Sequence, residues 1–106
     1  MTSLIDRGDV FDADVAEAGP HPVVVVSRQS AIPVRSNVTV VLVTSVVRGH
    51  RAEVPLGPAH GLERESVANC DEIHTVRKDR LTRRRGSVGL QRMGAVEDSL
   101  RLSLGL

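Results

Sequence analysis

Val23, Val24, Val25 and Val26 follow one another without a break. In an extended strand successive side chains point to opposite faces, so this strand has no polar side to turn to water and must be covered on both. Branching at Cβ also weighs against helix here. Val38 to Thr44 reads as a second strand of the same kind. Valine supplies 18 of the 106 residues, a bias toward strand throughout the chain. That length makes one domain, residues 1–106, which buries roughly 60–68% of its unfolded surface.

Weaker strand signals lie on either side of these runs. Arg7 to Val15 ends in alternation, with Phe11, Ala13 and Val15 on one face and Asp12 and Asp14 on the other. Ala16 to Pro22, with Gly19 and Pro20, reads as a loop, and Ser27 to Arg35, with Pro33, as a turn or short helix. Arg51 to Leu56 alternates again, and Pro55 suits an edge strand. Val67 to Val76 changes its apolar phase near Asp71 to Ile73, as a bulge would cause. The period then becomes helical. Leu90, Met93, Val96, Leu100 and Leu104 make one stripe, entered past Gly86 and Gly89 and stopped by Gly105. Five or so strands and a terminal helix that cannot bury its stripe alone predict a mainly β fold, a small bent antiparallel sheet or barrel with the helix across it.

Composition removes several function classes. Hydrophobic residues at 41% and charged residues at 25% exclude disorder. The longest charge-free run, Ser36 to Val47, has 12 residues and cannot span a bilayer. Asp6 and Asp9 come too early for a secretory leader. Cys70 alone permits no internal disulfide, which fits the cytoplasm, and it reads as a small buried strand residue. Phe11 is the only aromatic residue, so RNA recognition by aromatic stacking platforms is excluded. The four histidines and one cysteine show no zinc spacing, and Gly57-Pro58 and Gly86-Ser87 are turns rather than a phosphate loop; no metal or cofactor is expected. Net charge is +1, but Arg77, Lys78, Arg80, Arg83, Arg84 and Arg85 crowd into one run. Such a run is either a solvated face or a contact for a polyanion.

Taken in order, these segments carry a resemblance. Arg7-Gly8-Asp9-Val10 is followed by His21-Pro22 before the valine run, then Val41-Leu42-Val43-Thr44-Ser45 and Glu53-Val54-Pro55-Leu56. Gly61-Leu62-Glu63-Arg64-Glu65-Ser66-Val67, Cys70-Asp71-Glu72-Ile73-His74-Thr75-Val76, Arg80-Leu81, Gly86-Ser87-Val88 and Leu100 to Leu106 complete the set. The chain resembles, over nearly its whole length, the MazF/PemK/Kid toxins of type II toxin–antitoxin systems. The resemblance implies an SH3-like barrel with a C-terminal helix, assembled as an antiparallel homodimer with two grooves. It implies a metal-independent endoribonuclease that cuts single-stranded RNA selectively and leaves a 2′,3′-cyclic phosphate and a 5′-hydroxyl. It further implies a small acidic antitoxin, with DNA bound only through that partner.

Such chemistry needs a group that takes the 2′-hydroxyl proton, one that protonates the leaving 5′-oxygen, and donors that steady the phosphoryl oxygens. Relatives place an arginine before the proline of the second strand and a threonine at the end of the third. The threonine matches Thr44, while His21 stands at the arginine position. An imidazole changes charge between roughly pH 5 and 8, so His21 predicts a pH-dependent rate where arginine would give none; the bland alternative is a loop histidine without a role. Asp71 matches the acid of an Arg-x-Asp pair found in some relatives, with Asn69 in place of the arginine. Two residues apart on a strand, Asn69 and Asp71 are expected to share a face, and the alternative for Asp71 is a structural ion pair. Ser27, Ser45, Arg48, Arg51, Asn69, Glu72 and His74 complete the positions the resemblance assigns to RNA.

Two other function classes compete with the nuclease. A catalytically silent dimer would act by binding its antitoxin and repressing their operon. A gyrase poison of the CcdB kind shares the fold, but its inhibitory end carries tryptophan, and this chain has none.

Overall fold

Six strands form one antiparallel sheet in a computed structural model that describes residues 4–106. They are β1 (Asp9–Val15), β2 (Gly19–Val25), β3 (Asn37–Thr44), β4 (Glu53–Leu56), β5 (Ser66–Arg77) and β6 (Leu81–Ser87), in the order β4-β5-β3-β2-β1-β6. Helix α1 (Gly89–Leu104) ends the chain. The central strands bury both faces, as the valine runs require. Val10, Val24, Val41 and Val43 pack with Val54, Leu56, Cys70 and the helix residues Met93 and Val96. Phe11, Ala13, Val23, Val25, Val40 and Leu42 face the other way and pack around Ile32. Pro55 lies on the edge strand β4, as expected.

The sheet curls until its two ends meet through backbone. Gly61, in the loop after β4, has φ +90°, and a Cβ there would come within 2.0 Å of the Arg85 carbonyl oxygen on β6. Gly86 reciprocates, since a Cβ on it would lie 2.5 Å from the His60 carbonyl oxygen. Arg85 Nε donates to Gly61 O at 3.1 Å across the same crossing. Only glycine lets two backbones approach so closely.

Four expectations need correction. β2 begins at Gly19 rather than Val23, so His21 is a strand residue and the loop before it shrinks to a tight turn in which Glu17 takes φ +72°. β1 and β4 begin two residues later than expected, at Asp9 and Glu53. Beyond the five or so strands expected there is a sixth, β6, which carries Arg83, Arg84 and Arg85 of the basic run and pairs with β1, while Arg77 ends β5 and Lys78 and Arg80 lie in the short turn between them. Edge strands stay soluble by carrying charge, which is why Leu81–Ser87 shows no apolar alternation. Arginines of β6 and of the turn before it meet the acids of β1: Arg80 with Asp14 at 3.2 Å, Arg84 with Asp9 at 3.1 Å and Arg85 with Asp12 at 3.3 Å. Finally, the expected stripe of α1 is covered only in its middle, where Leu100 packs against the core beside Met93 and Val96, and Leu104 stays 58% exposed. Met93, Val96 and Ser99 are buried, while Leu90 is 95% exposed. Gly105 ends the helix in the left-handed conformation, as its position suggested, and donates to Leu102 O at 3.3 Å.

Candidate active site

Two prolines open the site. β2 pairs with β1 from Val10↔Val24 to Val15↔Gly19, but with β3 only from Val23↔Leu42 to Val25↔Val40. Pro20 and Pro22 have no N–H to offer, and β2 parts from β3 at this end. His21 and Thr44 line the gap. His21 Nδ1 lies 3.3 Å from Val43 O. A carbonyl only accepts, so Nδ1 is the donor in that contact, and Nε2 is left facing the gap without a protein partner among the described residues. Thr44 Oγ1 accepts from Val46 N at 3.1 Å, which fixes the hydroxyl and leaves its proton free to donate.

Both residues border two cavities at once. One, of about 510 Å³, also holds Glu17, Arg48, Asn69, Glu72 and His74. The other, of about 280 Å³, adds Ser45, Arg64, Ser66 and Arg85. Together they form a groove that passes over His21 and Thr44. Glu17, Arg64 and Arg85 were not among the expected contacts. Arg64 was visible within the Gly61–Val67 segment and Arg85 within the basic run, but no local pattern tells which arginine of a run turns inward.

The bulge rearranges the β5 positions. β3 pairs Val41↔Ile73 and then Leu42↔Asn69, so residues 70–72 have no partners on β3. Cys70 turns inward, donates its N–H to Ala52 O, just before β4, at 2.8 Å, and is fully buried. Burial, helped by the charge of Asp71, pushes its thiol up to about 11, well away from nucleophilic use. Asp71 is thrown outward: its carboxylate lies 4.0 Å from His50 Nδ1 and lines neither cavity. Glu72 therefore shares the larger cavity with Asn69 and His74, in the place expected for Asp71. Glu72 Oε2 is 3.4 Å from His74 Nε2. Among the described residues nothing completes a hydrogen bond to that nitrogen.

The remaining expected contacts divide. Ser45 and Arg48 belong to the groove. Ser27 accepts from Thr39 N at 2.7 Å and lines a different cavity, beside Leu100 and Leu104. Arg51 is exposed, and its carbonyl accepts from Ser99 Oγ at 3.3 Å. No three His, Cys, Asp or Glu side chains converge as a metal set among the described residues.

Glu53 holds the loop that carries Arg48. Its carboxylate accepts from Arg48 N at 3.0 Å and Gly49 N at 2.7 Å and stands 3.5 Å from His50 Nε2. Burial alone would raise its pKa, but the two N–H donors and His50 outweigh it and hold the carboxyl below 4.5. A depressed carboxylate adds stability that is whole above 4.5 and lost as pH falls through the lower folded value. The Arg48 and Gly49 amides should therefore keep their protection from exchange down to that point and lose it below. Glu53→Gln should expose them at neutral pH; unchanged protection in that variant would remove the clamp.

Residues 6–104 match the family described as PemK-like, MazF-like toxin of type II toxin–antitoxin system. The probable endoribonuclease MazF5 of Mycobacterium tuberculosis is 36% identical over 105 residues, covering 98% of this chain and 96% of its own. The solved M. tuberculosis toxin MazF-mt6 superposes with TM-score 0.86 at 28% identity, covering 92% of this chain and 97% of that one. A mycobacterial endoribonuclease in complex with its cognate antitoxin superposes with TM-score 0.86 at 30% identity, over 96% of both chains. The paired-proline strand, the Thr44 strand end and the bulged β5 thus sit in a frame shared along nearly the whole chain, which belongs to the PemK-like, MazF-like toxins of type II toxin–antitoxin systems.

Proposed function

We propose that this toxin is an endoribonuclease that cuts single-stranded RNA selectively and without a metal. The observation that carries the reading is the gap between β2 and β3, where His21 Nε2 and the Thr44 hydroxyl proton are both uncommitted and border one groove. His21 Nε2 takes the proton of a 2′-hydroxyl as that oxygen bonds to the adjacent phosphorus. Thr44 donates to a non-bridging oxygen while charge builds there. The P–O bond to the 5′-oxygen breaks, leaving a 2′,3′-cyclic phosphate, and the departing oxygen takes a proton from His74 on the same cavity wall. Phe11 is buried in the core, so bases are held by their edges, with Asn69 and Glu72 as the polar groups that read them. These groups need no cofactor.

The protein works as a homodimer in the cytoplasm, silenced by an acidic antitoxin segment laid over the Arg48 and Arg64 groove. No helix of the described residues is long and apolar enough to cross a membrane. The dimer reading is supported by the far end of α1. Leu102, Leu104 and Leu106 are 45%, 58% and 86% exposed there, beside a cavity lined by Val26, Ile73 and Leu100. Leu104→Asp should yield monomers by light scattering without loss of fold; a persistent dimer would place the interface elsewhere.

The function itself is tested by incubating the protein with a long unstructured RNA in excess EDTA from pH 5.5 to 8.5. Discrete cuts with cyclic-phosphate ends and a rate that varies with pH are expected. No cuts from a folded dimer would leave a protein that only binds.

A further inference from the structure

We propose that the cavity of about 280 Å³ is a second phosphate subsite, which takes the RNA phosphate next to the reacting one; the inference rests on the endoribonuclease reading. This cavity shares His21 and Thr44 with the larger one, so a strand that follows the groove across the reaction point passes from one into the other. Its lining includes two cations, Arg64 and Arg85, together with Ser45 and one carboxylate, Glu63. The Arg85 side chain is only 14% exposed, and a guanidinium held that far from water keeps more of its attraction for an anion than a surface one does.

The surrounding bonds show which donors are spare. Arg85 Nε is spent on Gly61 O at 3.1 Å, and one terminal nitrogen reaches both oxygens of Asp12, at 3.3 and 3.4 Å. The other terminal nitrogen has only Glu63, at 3.7 Å, beyond hydrogen-bond reach, and that carboxylate is 75% exposed. A phosphate entering the cavity meets two N–H groups that are aimed by the Gly61 and Asp12 contacts, and Glu63 is free to swing into water. Arg80 and Arg84, from the same run, are themselves exposed and already paired, with Asp14 and with the buried Asp9. The Gly61–Gly86 crossing thus does more than close the sheet: it sets a cation beside the reaction point.

The test uses the intact protein and an oligoribonucleotide spanning a mapped cut, with a 2′-deoxy nucleotide at the cut to stop reaction. A series replaces one phosphate at a time by a neutral methylphosphonate. In wild type, neutralising one flanking phosphate should weaken binding roughly tenfold or more. In Arg85→Leu, and in Arg64→Ala, whose exposed side chain keeps the fold safe, that same replacement should cost little. The slope of log affinity against log salt should also fall by about 0.7 in each variant, the share of one single-strand phosphate. If every methylphosphonate costs wild type and both variants alike while RNA is still cut, Arg64 and Arg85 are structural and the subsite falls alone. If RNA is neither bound nor cut by wild type, the endoribonuclease reading falls with it.

Discussion

Gly61→Ala should be among the most damaging single substitutions in this chain, and Gly19→Ala should be mild. Both glycines have positive φ, +90° and +78°, so both substitutions carry the left-handed penalty of about 1–2 kcal/mol. They differ in space. A Cβ on Gly19 meets nothing within 4 Å, whereas one on Gly61 comes within 2.0 Å of the Arg85 carbonyl oxygen. Backbone cannot yield as a side chain does, so the loop must leave β6 and the two ends of the sheet must part. Such a loss should exceed about 4 kcal/mol, a large fraction of the roughly 5–15 kcal/mol that holds a domain of this size. In a thermal melt Gly61→Ala should fall by about 15–30 °C and Gly19→Ala by a third of that or less. Equal shifts would mean that φ alone costs and that the crossing is slack. Gly86→Ala, with its Cβ 2.5 Å from the His60 carbonyl oxygen, should behave like Gly61→Ala.

That crossing also marks where sequence reading stops. The valine runs disclose β2 and β3 and their two covered faces because burial on both sides leaves no freedom in the choice of side chain. The bulge in β5 was legible as a break in apolar phase, yet its consequence was not. Skipping residues 70–72 on the β3 side hands the groove to Glu72 and sends Asp71 toward His50, and a count along the chain cannot show how many residues a bulge consumes. β6 was hidden because an edge strand answers to solvent and to its neighbour's charges, and the acids that match its arginines lie on β1. The same holds for Arg85. Its direction is decided by Gly61, 24 residues away in sequence. Thr44 and His21 were legible as types at family positions, but what brings them together is the parting of β2 from β3 at two prolines.

Thr44→Ala and His21→Ala should each reduce kcat while leaving RNA affinity and the dimer nearly as they were. In the proposed reaction Thr44 offers one hydroxyl proton to a phosphoryl oxygen whose charge grows only as the reaction proceeds, so its loss should cost about 10²–10³ in rate. Removing the imidazole should cost about 10²–10⁴, the usual range for a positioned general base. Two further readouts separate a proton carrier from a prop. Free imidazole should restore part of the His21→Ala rate and none of the Thr44→Ala rate. His21→Arg should keep measurable cutting through its charge but lose the dependence on pH near neutrality, since guanidinium stays protonated throughout. Asp71→Asn, outside both cavities, should change kcat by less than about threefold. A large loss in that variant, with His21→Ala unaffected, would move proton transfer to the His50–Asp71 side of the bulge, where the two groups stand 4.0 Å apart. The opposite pattern puts it in the gap that Pro20 and Pro22 hold open, with the 2′-hydroxyl proton passing to Nε2 because Val43 already holds the other nitrogen's hydrogen.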